Sequence, residues 1–457
     1  RRSAAGPRRR RPARAMAPRV YGFVRPGFEA VRDAFALNFE EGRESGASVC
    51  IVRRGETLVD LWAGEQAPGQ PWRQDSIVNV FSCTKGASAL CCAILADRGL
   101  LDYNERVAAY WPEFAQAGKA DVTVAEALSH QAGLAGIRRA KAGEDGADFG
   151  LEDLYDWDKT CAQLARQRPY WKPGARNGYH ALTYGWLVGE LVRRISGETL
   201  GTFFRKNVAE KLGVDFHIGL PASEDHRVVP MVVPPGARPV PPLGGGGGGK
   251  LELTAEQREL LEAVRTSFSN PVVGRVDGVL AQNTERWRRA EIPSANGHTN
   301  AAALARMYCC LALGGELDGV RLLSPGAVRA ATRMNCFRKD LVLGFKVRWG
   351  MGFMLNDPLI GQHGPNFGAF GHSGAGGSVG FADPLQGLGF GYVMSQMSDG
   401  LIGDPRALRL VEALYGCLGQ PIRYQRDAQG LPVQTLRLMS DNNGNLATGG
   451  APVAAKL

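Results

Sequence analysis

A serine and a lysine three residues apart, Ser82 and Lys85, form the pattern S-x-x-K at the start of an apolar stretch, residues 86–101, that predicts a helix. Residues three apart on a helix share a face, so the hydroxyl and the amine can meet. A serine hydroxyl becomes a useful nucleophile when a neighbouring base takes its proton, and a lysine can be that base where burial lowers its pKa. The pattern therefore indicates nucleophilic catalysis, although Ser82 could instead simply cap the helix.

Two later segments follow the S-x-x-K pattern in a fixed order. Residues 173–179 read P-G-x-x-x-x-Y, end at Tyr179 and precede an apolar helical pattern, and His372-Ser373-Gly374 precedes a glycine-rich, strand-like run. In this order the segments resemble the serine β-lactamase and penicillin-binding-protein superfamily. Within it the chain looks most like the class C β-lactamase-related esterases, the family VIII carboxylesterases and the eukaryotic β-lactamase domain-containing proteins. The resemblance runs from about Val20 to Leu418.

The resemblance implies a role for each motif residue. Ser82 would be the acylated nucleophile, Lys85 its proton acceptor, and Tyr179 the group that passes a proton to the leaving group and later takes one from the deacylating water. The third motif would lie on an edge strand facing the nucleophile and bind the carboxylate or acyl side of the substrate. The backbone N–H groups of Ser82 and Ala375 would form the oxyanion hole. The implied substrate-binding and oxyanion residues are therefore His372, Ser373, Gly374 and Ala375.

The chain departs from the β-lactamase pattern at two positions. Ala181 stands where those enzymes have an Asn that holds the acyl-amide group, and His372 stands where many have a Lys. An ordinary histidine is largely neutral at pH 7, so it offers no fixed positive charge to a β-lactam carboxylate. The resemblance with these departures implies a serine hydrolase of the carboxylesterase type (EC 3.1.1) that acts on a small-molecule ester through an acyl-enzyme.

Two other functions remain open from the sequence. One is a β-lactamase or D-Ala-D-Ala carboxypeptidase. The other is a non-catalytic scaffold with the β-lactamase fold, and the presence of Ser82, Lys85 and Tyr179 together argues against it.

The segments that must position these residues are strand-like at both ends of the chain and helical between them. Residues 47–62 predict two strands around a turn at Arg54-Gly55, and residues 377–397 predict two more around Asp383-Pro384. We expect an α/β (α+β) fold of the β-lactamase/transpeptidase type, with one antiparallel sheet built from both chain ends, flanked by helices, and an inserted helical region. The expected ranges are a sheet at about 20–100 and 340–420, helices at about 101–339 with a Pro/Gly-rich loop at 230–250, and tails at 1–19 and 421–457.

Charge and composition exclude some partners. The chain carries a formal net charge of +9, but residues 1–19 contain eight Arg and no acidic residue, so residues 20–457 carry only +1. The basic character belongs to a segment that we interpret as a disordered tail and not to a nucleic-acid-binding surface. Alternatives for this segment are an organellar transit sequence, which leaves mitochondrial or plastid import open, or residues upstream of a start at Met16.

The cysteines and histidines give no sign of a metal or cofactor. Nine Cys with two vicinal pairs and no C-x-x-C fit neither a disulfide framework nor a thiolate site, which favours a reducing, cytoplasmic location. The seven His show no H-E-x-x-H pattern. The sequence contains no run of about 18 apolar residues, so it predicts no membrane span. The sequence does not indicate an oligomeric state.

Two further matches to catalytic motifs are coincidental in our interpretation. Residues 376–380 fit the G-x-S-x-G nucleophile elbow, but that motif needs a following helix, and the run after Ser378 is strand-like. Residues 244–250 approach a phosphate-binding loop, but no strand precedes them, so a flexible linker is the better interpretation.

Overall fold

The computed structural model of the chain describes residues 18–138, 149, 152–235, 254–269, 275–276, 278–357 and 361–433. Its strands are β1 (Tyr21–Val24), β2 (Gly46–Arg53), β3 (Glu56–Ala67), β4 (Gln70–Pro71), β5 (Ile77–Asn79), β6 (Phe216–His217), β7 (Val228–Val229), β8 (Arg275–Val276), β9 (Val279–Leu280), β10 (His298–Thr299), β11 (Glu316–Leu317), β12 (Val320–Arg321), β13 (Cys336–Lys339), β14 (Lys346–Trp349), β15 (Met354–Leu355), β16 (Phe370–Ser373), β17 (Val379–Asp383), β18 (Leu388–Met394), β19 (Gln425–Arg426) and β20 (Pro432–Val433).

The α-helices of the described residues are α1 (Glu29–Glu40), α2 (Thr84–Asp97), α3 (Val107–Tyr110), α4 (Val124–Leu128), α5 (Trp157–Arg166), α6 (Tyr184–Ser196), α7 (Leu200–Phe204), α8 (Glu210–Leu212), α9 (Ala255–Ser269), α10 (Glu285–Arg289), α11 (Ala301–Ala312), α12 (Pro325–Thr332) and α13 (Pro405–Cys417).

The main sheet joins the two ends of the chain. Its strand order is β1-β3-β2-β18-β17-β16-β15-β14-β13, and every neighbouring pair in this order is antiparallel. The predicted hairpin at Arg54-Gly55 is present, and both turn residues have positive φ angles of 50° and 85°, as a tight two-residue hairpin turn requires. The predicted sheet from both chain ends, with helices on its faces, is confirmed.

The glycine-rich composition of β18 has a packing reason. A Cβ atom at Gly389 would collide with the Ala305 carbonyl of α11, and one at Gly391 would collide with the Ala301 carbonyl. Glycine in a strand lets another backbone approach closely. Helix α11 therefore lies almost directly on the sheet.

Helix α2 carries the S-x-x-K lysine and is enclosed by the rest of the protein. Its residues from Thr84 to Leu95 are all buried, because α6, α7 and α12 pack around it and β16 of the main sheet contacts it. Small side chains allow this close packing, since a Cβ at Gly86 would meet the Tyr308 hydroxyl of α11. A helix that is apolar all round belongs in a core.

One strand assignment from the sequence is wrong in part. The third motif lies on β16, which pairs with β17 on one side and with β15 on the other, so it is not an edge strand. Strand β15 has only two residues and pairs with Phe370 and Gly371 alone. The second half of β16, His372-Ser373, extends beyond that pairing and keeps the open side that an edge strand would have.

The predicted domain limits remain predictions. Residues 1–17 of the basic tail and residues 236–250 of the Pro/Gly-rich loop lie outside the described residues. Part of the segment assigned to the C-terminal tail folds onto the domain, as the hairpin of β19 and β20, with Tyr424 and Leu431 buried.

Candidate active site

Ser82 lies in a 3-10 turn, Phe81–Cys83, that leads directly into α2. Phe81 has a φ angle of 45°, a left-handed conformation that is costly for a bulky residue and persists only where the surroundings impose it. The Thr84 hydroxyl fixes this turn, because it donates to the Phe81 carbonyl at 2.6 Å and accepts from the Gly297 N–H at 2.9 Å. The half-buried Ser82 side chain is thereby presented at the helix start, as the S-x-x-K pattern predicts.

The Lys85 amine has three neutral hydrogen-bond partners. Its Nζ lies 2.7 Å from the Ala181 carbonyl, 3.0 Å from the Ser294 carbonyl and 3.2 Å from Ser82 Oγ. The residue is completely buried, and this burial lowers the pKa of Lys85 well below its ordinary value. A neutral amine has two N–H donors and one lone pair. The two carbonyls can only accept, so they take both hydrogens and leave the lone pair for the Ser82 hydroxyl.

Tyr179 lies against the same lysine. Lys85 Nζ is 4.7 Å from the centre of the Tyr179 ring, and the Ser82 side chain is near enough to the Tyr179 hydroxyl to influence its pKa. The ring stacks on Trp349 with centroids 6.0 Å apart and planes 10° from parallel. Burial raises the pKa of Tyr179, so the phenol keeps its proton at neutral pH. The site thus combines an amine that gives up its proton easily with a phenol that retains its own.

The third motif packs directly against the backbone of the turn that holds Ser82. The Cys83 thiol donates to the His372 carbonyl at 3.3 Å, and a Cβ atom at Gly374 would collide with the Val80 carbonyl. Only glycine permits this approach. Gly374–Gly377 then form a β-turn, closed by the Gly377 N–H on the Gly374 carbonyl at 3.1 Å, with Gly376 at a φ of 84°.

The Ala375 N–H within this turn has no protein acceptor among the described residues. A free N–H beside the nucleophile turn is the feature that an oxyanion hole requires.

His372 is neutral in this site. Its Nδ1 lies 2.7 Å from the Ser373 carbonyl, which can only accept, so Nδ1 carries the hydrogen and Nε2 presents a lone pair. Burial, with a smaller contribution from Lys85, lowers the pKa of His372 to about 3. The neighbouring Ser373 hydroxyl donates to Gln362 Oε1 at 3.0 Å. These side chains therefore offer no positive charge to a substrate.

Comparisons with known proteins identify the family of the chain. The family model described as Beta-lactamase matches residues 31–414. The chain belongs to this beta-lactamase family.

The chain is also similar to individual known proteins. It is 36% identical over 393 residues to Esterase/beta-lactamase LipL of Mycobacterium tuberculosis, and this alignment covers 84% of the chain and 85% of LipL. A crystal structure of a family VIII carboxylesterase has 45% identity and a TM-score of 0.76, and covers 87% of this chain and 100% of its own. A penicillin-binding protein homologue from Caulobacter crescentus has 42% identity and the same TM-score and coverage.

One buried carboxylate in this family member was not singled out from the sequence. Asp340 Oδ1 accepts from the N–H groups of Tyr179, Val342 and Leu343, each at 2.9 Å, and Oδ2 accepts from Asn177 Nδ2 at 2.9 Å. Burial raises the pKa of Asp340 to about 6 against these hydrogen bonds. Asp340 joins the Tyr179 segment to the loop before β14. No motif marks this residue, because all but one of its partners are backbone groups.

An apolar cluster separate from the main core contains Tyr179 and lies on one side of the site. It includes Tyr179, Ala181 and Trp171 as buried members, and half-buried apolar side chains pack against it. These side chains are Leu260, Leu341, Leu343, Phe345 and Ile402. Ala181, the replacement for the amide-bearing Asn, therefore lies on an apolar wall next to the lysine.

Residues outside the three motifs support this centre or belong to the core. The Leu134 N–H donates to His180 Nε2 at 3.0 Å, and the His180 N–H donates to His130 Nδ1 at 3.1 Å, so His180 braces the Tyr179 segment from behind. Trp186 is fully buried in the main core, and Ser378 is buried directly before β17 with no following helix.

Within the described residues, no group of three or more His, Cys, Asp or Glu side chains could hold a metal ion. No helix in that part of the chain has both the length and the apolarity needed to cross a bilayer.

Proposed function

We propose that this beta-lactamase family member is a carboxylesterase-type serine hydrolase that acts through an acyl-enzyme on Ser82. The observation that carries the proposal is the hydrogen bonding of Lys85, whose two carbonyl partners leave its lone pair for the Ser82 hydroxyl. A buried neutral amine in this orientation is a general base poised to activate a serine.

Acylation follows from the positions of these groups. Ser82 Oγ bonds to the ester carbonyl carbon, and its proton passes to Lys85 Nζ. The N–H groups of Ser82 and Ala375 stabilise the negative charge that forms on the carbonyl oxygen. When the bond to the leaving oxygen breaks, Tyr179 donates its hydroxyl proton to the departing alkoxide and takes the proton held by Lys85.

Deacylation uses the same groups in reverse. Water adds to the acyl carbon and its proton passes to Lys85 through Tyr179. The bond to Ser82 Oγ breaks, and the serine recovers its proton as the carboxylic acid leaves. The raised pKa of Tyr179 suits this role, because the phenol must be protonated whenever an alkoxide departs.

The surroundings favour small, uncharged esters. His372 presents a lone pair in place of a cation, which repels a carboxylate. The wall formed by Ala181 and its apolar neighbours lacks the amide group that holds an acyl-amide. Both features lower the affinity for substrates that carry a carboxylate or an amide next to the reacting carbonyl.

Turnover of β-lactams is a second candidate. The name of LipL joins an esterase and a β-lactamase activity, and LipL is 36% identical to this chain. We propose that β-lactam hydrolysis is the slower activity here, because of the neutral His372. Faster turnover of a chromogenic cephalosporin than of p-nitrophenyl butyrate would reverse this order.

The test compares wild type with Ser82→Ala and with a matched control, Ser378→Ala. The control removes the serine of the G-x-S-x-G match, which is buried and lies directly before β17. Each protein is incubated with a fluorophosphonate, analysed by intact mass, and assayed with p-nitrophenyl acetate and butyrate. We expect labelling and turnover in wild type and Ser378→Ala and neither in Ser82→Ala. Folded wild type without label or turnover would support the non-catalytic scaffold instead.

A further inference from the structure

An arginine outside the predicted site, Arg406, is buried behind the turn that holds Ala375. It lies at the start of α13 and is 2% exposed. Its guanidinium donates to the carbonyls of Arg43 at 3.0 Å, Gln396 at 2.7 Å and Gly376 at 2.5 Å. It therefore ties three distant segments of the backbone together at one point.

Two buried carboxylates hold the guanidinium in place. Asp404 accepts two bonds from Arg406, each 2.9 Å long, and Glu44 accepts one at 3.0 Å. The Arg406 charge lowers the pKa of Asp404 despite its burial, whereas burial raises the pKa of Glu44 to about 8. Tyr392 donates a further hydrogen bond to Glu44. The planar fork of arginine offers five N–H donors to these six acceptors, and Nη1 shares its two hydrogens among three of them, whereas a lysine ammonium has only three donors.

The contact with the turn leaves no free space. A Cβ at Gly377 would lie 2.5 Å from Arg406 Nη2 and 2.7 Å from Asp404 Oδ2. The Gly376 carbonyl accepts from the Ser398 N–H at 2.9 Å as well as from Arg406. Both residues that follow Ala375 are thus held, one by hydrogen bonds and one by contact.

We propose that Arg406 is a positioning residue that fixes the Ala375 N–H in the direction of the developing oxyanion. This inference rests on the proposed acyl-enzyme mechanism. One peptide unit separates the Gly376 carbonyl from the peptide that carries the Ala375 N–H, and the hydrogen bond from the Gly377 N–H to the Gly374 carbonyl closes the turn around them. Holding the Gly376 carbonyl therefore restricts the few backbone angles that set the direction of the Ala375 N–H. Oxyanion stabilisation depends on donors that are already aligned before charge develops, and such alignment is lost when the support behind the turn is loosened.

The test measures the ratio of turnover of an aryl butyrate ester to that of the matching thionoester, in which sulfur replaces the carbonyl oxygen. Sulfur is a weak hydrogen-bond acceptor, so the thionoester gains little from the oxyanion N–H groups. We expect Arg406→Lys to lower kcat for the oxygen ester on the order of 100-fold, the range for the loss of one oxyanion donor, with KM nearly unchanged. Turnover of the thionoester should fall much less, so the ratio decreases.

Arg409→Lys is the control on the same helix. Arg409 contacts Asn38 and Glu41 and no residue of the turn, so its replacement should leave the ratio at the wild-type value. Because Arg406→Lys removes buried contacts and could fail to fold, Glu44→Gln provides a gentler second variant. It keeps an acceptor near Arg406 and should lower the ratio in the same direction by a smaller factor.

Equal losses for both esters in a folded Arg406→Lys or Glu44→Gln protein would overturn the inference, because a general loss of structure affects both substrates. Wild type that hydrolyses neither ester would instead contradict the proposed function itself.

Discussion

At the scale of the residue, the proposed reactivity of this site depends on the protonation of one amine. Lys85 is buried, faces two carbonyls and one hydroxyl, and contacts the rings of Tyr179 and Tyr184. Desolvation favours the neutral form of a lysine, so its pKa falls well below the ordinary value. Burial alone thus lowers the pKa of the amine that serves as the base in the proposed mechanism, without help from a carboxylate partner.

The first prediction concerns pH. Because Lys85 must be neutral to accept the proton, kcat/KM should be constant at high pH and fall tenfold per pH unit below the lowered pKa of Lys85. The pKa of His372 is about 3, so His372 stays neutral across the working range and His372→Asn should leave the midpoint of this fall unchanged. The measurement is the pH profile for p-nitrophenyl butyrate in both proteins. If the fall of kcat/KM at low pH were absent in His372→Asn, His372 would be the base instead of Lys85.

The second prediction separates the Tyr179 ring from its hydroxyl. Tyr179→Phe keeps the stack on Trp349 and removes only the proton that the leaving group needs. We expect kcat/KM to fall on the order of 100- to 10,000-fold, the usual contribution of a positioned acid or base, with little change in melting temperature. Steady-state kinetics and thermal unfolding of the same sample decide the point. Near-wild-type turnover would remove Tyr179 from the mechanism.

The sequence predicts this chemistry in part. The spacing of Ser82 and Lys85 is local, so their proximity follows from helix geometry. The carbonyls of Ala181 and Ser294 are about 100 and 200 residues away from Lys85. Any residue type supplies a carbonyl, so no pattern of letters marks these partners. The same reason hides Asp340, most of whose hydrogen-bond partners belong to the backbone, and the three carbonyls that Arg406 contacts.

At the scale of the element, two turns must meet for the site to exist. The 3-10 turn of Ser82 and the β-turn of Ala375 belong to segments nearly 300 residues apart. They touch where Gly374 packs against the Val80 carbonyl and where Cys83 donates to the His372 carbonyl. The strand-like pattern around the third motif predicts β16, but not that the short β15 leaves its second half open.

The third prediction tests this contact. Gly374→Ala places a methyl group where the Val80 carbonyl lies, so the two turns must separate and the oxyanion donors must diverge. We expect a loss of kcat of at least 100-fold, the order expected when an oxyanion donor is displaced. Gly368→Ala is the control, because a Cβ there meets nothing within 4 Å and its φ is not positive. Equal activity of the two variants would contradict the proposed meeting of the turns.

At the scale of the whole molecule, one apolar core connects both ends of the chain. Strand β2 near the start pairs with β18 near the end, and α1 packs on α13 beside them. The buried side chains of these elements form a single cluster that continues into α2 and α6. The two ends should therefore unfold together, and the site between them should be lost in the same transition.

The fourth prediction follows from this shared core. Leu410 of α13 is fully buried, so Leu410→Ala should lower the free energy of unfolding by about 2–5 kcal/mol. Tryptophan fluorescence and esterase activity should still be lost at the same denaturant concentration, as a single cooperative transition requires. Leu100→Ala is the control, since Leu100 is 51% exposed. Activity lost well before fluorescence would show that the site unfolds independently.

The two carbonyls that hold the Lys85 amine have a consequence for how this protein can change. Every amino acid carries a peptide carbonyl, so exchanging Ala181 for another residue alters the wall of the site without removing the partner of the base. The position of the main chain sets the hydrogen bonds of the base, whereas the side chains of the wall set which substrates fit. A library randomised at positions 181 and 343 can therefore explore new substrates while the reactive lysine stays as it is.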